Sequence, residues 1–146
     1  MKNRKLMIVL IVVLTLAVLA ACLGTFVHIT KGEVEEKDGI KQNSRIYLDN
    51  VRYEDGKIYY TVVNKTCRRV TWGGFKLDGI HKYENGKWHP LTIDGTDADI
   101  GRILKPFQQS GELHYDRPYL APGEYRILLR NVGIDAMYMV GYLTVT

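Results

Sequence analysis

Two patterns of apolar and polar positions divide the chain. From residue 6 to residue 27 no side chain is charged and most are aliphatic. The run has no polar face, which predicts an apolar helix rather than an amphipathic one. From Arg45 onward the pattern becomes alternation broken by turn residues. Ile46 and Leu48 alternate with Tyr47 and Asp49, and Ile58, Tyr60 and Val62 alternate with Tyr59, Thr61 and Val63. A period of two places alternate side chains on opposite faces of a strand. Glu54-Asp55-Gly56-Lys57 and Glu84-Asn85-Gly86-Lys87 carry the Asp-Gly and Asn-Gly pairs that accept the positive φ angles of a tight hairpin. Further strands are predicted at 70–77, 80–83, 88–93, 108–115, 126–132 and 137–145. Seven or eight short strands with a turn about every ten residues, and no amphipathic helix after residue 30, predict an all-β sandwich or barrel. Residues 45–146 are long enough to bury about two thirds of their surface without a metal or a disulfide.

Leu120, Pro122, Gly123 and Tyr125 match the approach to a tyrosine corner, in which a Tyr hydroxyl returns to a backbone group a few residues upstream. That favours a sandwich. Tyr125, Ile127 and Leu129 are expected to point into the core, with Arg126, Leu128 and Arg130 on the opposite, solvated face. Residues 30–44 are charged, mixed in sign, and contain only Val34 and Ile40 as sizeable apolar side chains. Such a segment buries too little surface to fold alone and is read as a tether.

At the N-terminus, Lys2, Arg4 and Lys5 precede the apolar run, which reaches Leu19-Ala20-Ala21-Cys22. An aliphatic residue, two small residues and a cysteine behind a basic and then an apolar stretch resemble the lipobox of bacterial lipoproteins. The resemblance implies diacylation of Cys22 and removal of residues 1–21. The apolar run also continues through Val27. Its 22 residues would span roughly 33 Å at about 1.5 Å per residue, enough for an uncleaved anchor over residues 6–29. Both readings keep the basic residues in the cytoplasm and put the rest of the chain on the extracytoplasmic side of the membrane. The expected organisation is a signal peptide at 1–21, or part of that anchor, a tether at 22–44 and a β-domain at 45–146.

Within the β-domain, several pieces carry a second resemblance. They are Val62-Val63-Asn64-Lys65-Thr66, Thr71-Trp72-Gly73-Gly74, Tyr83-Glu84-Asn85-Gly86-Lys87-Trp88, Leu104-Lys105-Pro106 and Leu120-Ala121-Pro122-Gly123-Glu124-Tyr125-Arg126-Ile127. Together these are similar to bacterial immunoglobulin-like domains of cell-surface proteins, mainly from Gram-positive bacteria. The resemblance implies an immunoglobulin-like antiparallel β-sandwich preceded by an N-terminal apolar helix, and a place at the cell surface. It implies no catalytic residues.

Charge alters the picture little. The formal net charge is +4, from 20 basic and 16 acidic residues. Lys2, Arg4 and Lys5 account for most of it, so the basicity belongs to the targeting segment and a nucleic-acid partner is not expected. Cys67 has no partner once Cys22 is acylated or membrane-embedded, so it is read as a small buried apolar side chain. The histidines His28, His81, His89 and His114 lack metal-ligand spacing and are read as lone surface or hairpin residues. Asp94, Asp97 and Asp99, in a polar loop over residues 94–101, are a weak candidate for a calcium site; the alternative is a solvated turn. Ser44 and Ser110 lack a nucleophile elbow, and no phosphate-cradling loop is present. No catalysis, cofactor or small-molecule ligand is expected. The expectation is a non-catalytic, membrane-tethered module that binds an envelope protein partner or organises the envelope. A carbohydrate- or wall-binding module is the alternative, and it requires about three exposed aromatics on one face of the sandwich.

Overall fold

The computed structural model of the chain describes residues 2–73, 77–93, 101–132 and 137–146, with side chains for all of these except 2–6 and 28–30. It divides into a helical unit and a β unit that begins at Gly32.

Helix α1 covers Lys2–Lys31. Its stretch Met7–Val27, with mean hydropathy 3.0, is long and apolar enough to cross a membrane. Every described side chain along that stretch is exposed, including Cys22. An apolar helix exposed along its length has the character of a membrane span or a signal sequence.

The β unit is an all-β sandwich, as the alternation and the turn spacing predict. Its strands are β1 (Val34–Lys37), β2 (Ile40–Asn43), β3 (Ile46–Glu54), β4 (Lys57–Asn64), β5 (Val70–Trp72), β6 (Gly79–Glu84), β7 (Lys87–Leu91), β8 (Arg102–Leu104), β9 (Gln108–Gln109), β10 (Leu113–Asp116), β11 (Gly123–Arg130) and β12 (Tyr138–Val145). One sheet of ten strands is folded over on itself. One layer is β7-β6-β11-β12, and the other is β3-β4-β10, with β9 also on β4. Strand β2 joins the layers at one edge, where Gln42 pairs with Tyr138 and Asn43 with Ile46. Strands β5 and β8 form a separate ribbon, tied to the first layer by a bridge from Trp72 to Asn131.

The core fills the space between the layers. Leu48, Ile58, Tyr60 and Val62 meet Ile80, Tyr125, Ile127, Leu129, Met139 and Leu143. Burial of these side chains supplies the main driving force for folding. The tyrosine corner forms as expected: the Tyr125 hydroxyl donates to the Ala121 carbonyl at 2.5 Å. Asp55–Gly56 and Asn85–Gly86 both adopt positive φ at their hairpins.

Three expectations are corrected. The described strands number twelve rather than seven or eight, because several pair over only two to four residues and carry no alternation long enough to read. Part of the segment read as a tether is folded: residues 22–31 continue α1, and 34–43 form the β1–β2 hairpin. Its turn is Asp38–Gly39, both at positive φ, and Ile40 packs against Leu128 and Val140 on the outside of the first layer. That hairpin lacks apolar surface of its own and is held by the sheet it covers. Cys67 is exposed, and the buried residue of its turn is Thr66.

Candidate functional site

Register places one group of side chains on the outer face of the first layer. On β11, Arg126 lies opposite His81 of β6 and Tyr142 of β12. One row along, Tyr83 of β6 lies opposite Trp88 of β7. Because alternate residues share a face, Tyr83, Trp88, Arg126 and Tyr142 all point outward.

The rings converge. Tyr83 and Trp88 are 5.0 Å apart between centroids and tilted by 52°; Trp88 and Tyr142 are 5.9 Å apart and tilted by 54°. Tyr83 is 41% exposed and Tyr142 48%. The Trp88 ring leans over Arg126, whose guanidinium carbon sits 4.8 Å from the ring centroid. A cation over an indole face gains electrostatically from the ring quadrupole, most where water is excluded.

Arg126 was expected on a solvated face, but only 4% of it is exposed. The hairpin accounts for this. Asp38, at the β1–β2 turn, places a carboxylate oxygen 3.6 Å from the Arg126 Nη1 and accepts a 3.1 Å hydrogen bond from the Trp88 indole N–H. On the other side, Arg126 Nε and Nη2 lie 3.2 and 3.1 Å from His81 Nδ1. A buried guanidinium needs such partners, since desolvation opposes its charge. Burial lowers the Arg126 pKa, and Asp38 acts against that shift.

Guanidinium groups only donate, so His81 Nδ1 is the acceptor and the ring proton sits on Nε2. Burial, and then the charge of Arg126, lower the His81 pKa below its ordinary value. The unfolded chain takes up that proton near pH 6.5, and the folded chain only at lower pH. Stability is therefore fully present above about pH 6.5 and declines as pH falls toward the lower folded value. His81→Asn should flatten this decline, measured as thermal midpoints of the full chain between pH 7.5 and 5. An unchanged slope would show that other groups carry it.

These side chains wall a cleft of about 520 Å³ that includes Lys37, Gly86 and Lys87 at its rim. The Trp88–Tyr142 pair also borders a second depression of about 390 Å³, which reaches Glu124 and Thr144. Lys37 sits with its ammonium 5.8 Å from the Tyr142 ring centre. The arrangement offers ring faces, cations and one carboxylate in a concave surface, the usual make-up of a ligand site.

Nothing local in the sequence brings these residues together. In the sequence Trp88 stands only within a hairpin motif, His81 among lone histidines and Asp38 in the segment taken as a tether. The Asp38-Gly39 pair was the available signal, since it is the same turn dipeptide as Asp55-Gly56. Of the two arginines on the outer face of β11, Arg126 is buried while Arg130 is exposed. Cys22 lies on α1, exposed. Asp94, Asp97 and Asp99 lie outside the described residues, and among the described residues no group of three or more His, Cys, Asp or Glu is placed to hold a metal ion. No protein-family model matches the chain, and no curated protein matches it in sequence.

Proposed function

We propose that this chain is a membrane-anchored, extracytoplasmic, non-catalytic binding module of the bacterial cell surface. An immunoglobulin-like sandwich, held at the membrane by acylated Cys22 or by the uncleaved helix, engages an envelope saccharide through its outer face. The observation that carries this reading is the Tyr83–Trp88–Tyr142 cluster, three aromatics brought to one face beside a cleft. Tilted, partly exposed rings present apolar faces for the C–H faces of sugars and polar edges toward water. A second reading, a protein partner, draws support from Ile103 and Val132. Both are exposed, and both flank Thr71 on the β5–β8 ribbon.

Anchoring is tested by fatty-acid labelling and by protease treatment of intact spheroplasts. With acylated Cys22 the wild-type chain should incorporate label, with the uncleaved helix it should not, and in both cases added protease should remove residues 32–146. Cys22→Ala should lose all label and keep the unprocessed size. Unchanged labelling in Cys22→Ala would overturn the lipobox assignment, and protection of the sandwich from added protease would overturn its placement outside the membrane.

A further inference from the structure

The charges around the cleft are unbalanced in a way that bears on its ligand. Arg126 and Asp38 neutralise one another at its floor. Lys37 and Lys87 stand at its rim, and among the described residues no acidic side chain forms an ion pair with either. Glu84 is the cross-strand neighbour of Lys87, yet it is taken by Lys82 at 2.8 Å. The cleft thus keeps a net positive rim above an aromatic wall. Cations beside low-dielectric walls concentrate anions. Flexible ammonium groups also suit carboxylates and phosphates without demanding a fixed geometry.

The wall itself argues against a simple ion site. An inorganic anion has no use for Tyr83, Trp88 and Tyr142, in which the Trp88 ring is tilted by 52° and 54° from its two neighbours beside the cleft. A pyranose has apolar C–H faces that lie on such rings and hydroxyls that need acceptors. The Asp38 carboxylate, with its side chain 47% exposed, is such an acceptor. A volume of about 520 Å³ accommodates one to a few sugar rings.

We propose that the cleft between the β1–β2 turn and the β6–β7 hairpin binds an anionic saccharide, with a sugar ring on Trp88 and Tyr142 and its carboxylate or phosphate between Lys37 and Lys87. This deepens, and rests on, the saccharide reading of the outer face. The β1–β2 hairpin is then part of the binding site, since it supplies both Lys37 and Asp38.

Tryptophan fluorescence reads the site directly. The chain has two Trp, and Trp72 is only 2% exposed, so a ligand in the cleft reports through Trp88. The full chain in phosphatidylcholine nanodiscs is titrated with digalacturonic acid, glucose 6-phosphate, maltose and sodium phosphate. A saturable change is expected with at least one of the two charged sugars, and which of them responds assigns the anion. Maltose should bind about tenfold more weakly, and added salt should narrow that gap. Tyr142→Ala should weaken binding about tenfold or more. The double variant Lys37→Ala, Lys87→Ala should bring the charged sugar down to the level of maltose. Both lysines are exposed, so its melting curve should match the wild type.

Maltose binding as tightly as the charged sugars would overturn the anionic assignment. The same change with sodium phosphate alone would overturn the saccharide. No change with any sugar would overturn the site, while the labelling and protease results for the anchor would stand apart from it.

Discussion

Asn64→Asp should lower the stability of the β-sandwich by about 3 kcal/mol or more, the largest effect expected of an isosteric change in this chain. Asn64 is 1% exposed and makes four hydrogen bonds. Its Nδ2 donates to the carbonyls of Arg68 and Lys105, at 2.8 and 2.9 Å. Its Oδ1 accepts from the Thr66 backbone N–H at 3.0 Å and the Thr66 hydroxyl at 2.6 Å. One amide thereby closes the turn after β4 and ties it to the segment after β8. A carboxylate at this position keeps the shape and removes both donors. It would face two buried carbonyl oxygens and bury a charge as well. The midpoint of thermal unfolding of the full chain should fall by more than about 10 °C. The deficit should shrink as pH drops toward 4, because a protonated carboxyl regains one donor. Cys67→Ser, three residues on and exposed, should leave the midpoint in place. A neutral result for Asn64→Asp would mean that the turn does not depend on this amide.

Gly141→Ala should destabilise the sandwich by about 3 kcal/mol, again visible as a lowered thermal midpoint. Gly141 lies on the inner face of β12, close against β3 of the other layer. A Cβ there would stand 2.5 Å from a Val51 methyl and 2.9 Å from the Cβ of Leu48. Neither is the end of a flexible chain: valine is stiff at χ1, and a Cβ moves only with its backbone. The layers must part or β3 must shift, and the core between them loses close packing. Gly86→Ala is the informative contrast. Its Cβ would meet nothing within 4 Å, so any cost there comes from its positive φ of 77° rather than from overlap. Equal melting of Gly141→Ala and the wild type would show that the layers are free to separate at this point.

The two variants also separate what is local from what is not. The Asp55–Gly56 and Asn85–Gly86 turns were legible because two residues suffice to specify a type I′ hairpin. The inward set Tyr125, Ile127 and Leu129, and the corner at Tyr125, were legible because period and turn chemistry act within about ten residues. Nothing within reach of Asn64 in the chain marks it as a four-bond hub, since one of its partners, Lys105, is 41 residues away.

The same limit explains the binding face. Lys37, Asp38, Tyr83, Trp88, Arg126 and Tyr142 come from five strands and a turn. Each alone reads as an ordinary surface or packing residue. Residues 34–43 were misjudged for a related reason. A charged hairpin with one large inward side chain, Ile40, is not self-supporting, and Leu128, Val140 and Tyr138, distant in sequence, give it a surface to lie on.

By itself, then, the sequence determined the apolar N-terminal helix, the all-β class, the tight hairpins and the tyrosine corner. These depend on composition, period and turn dipeptides, all short-range properties of the chain. Tertiary structure alone decided that the sheet folds over through β2, that Arg126 is buried beneath Trp88 and Asp38, and that three aromatics share one face. Those outcomes depend on register between strands far apart in sequence, where a shift of one residue would turn every one of these side chains to the opposite face.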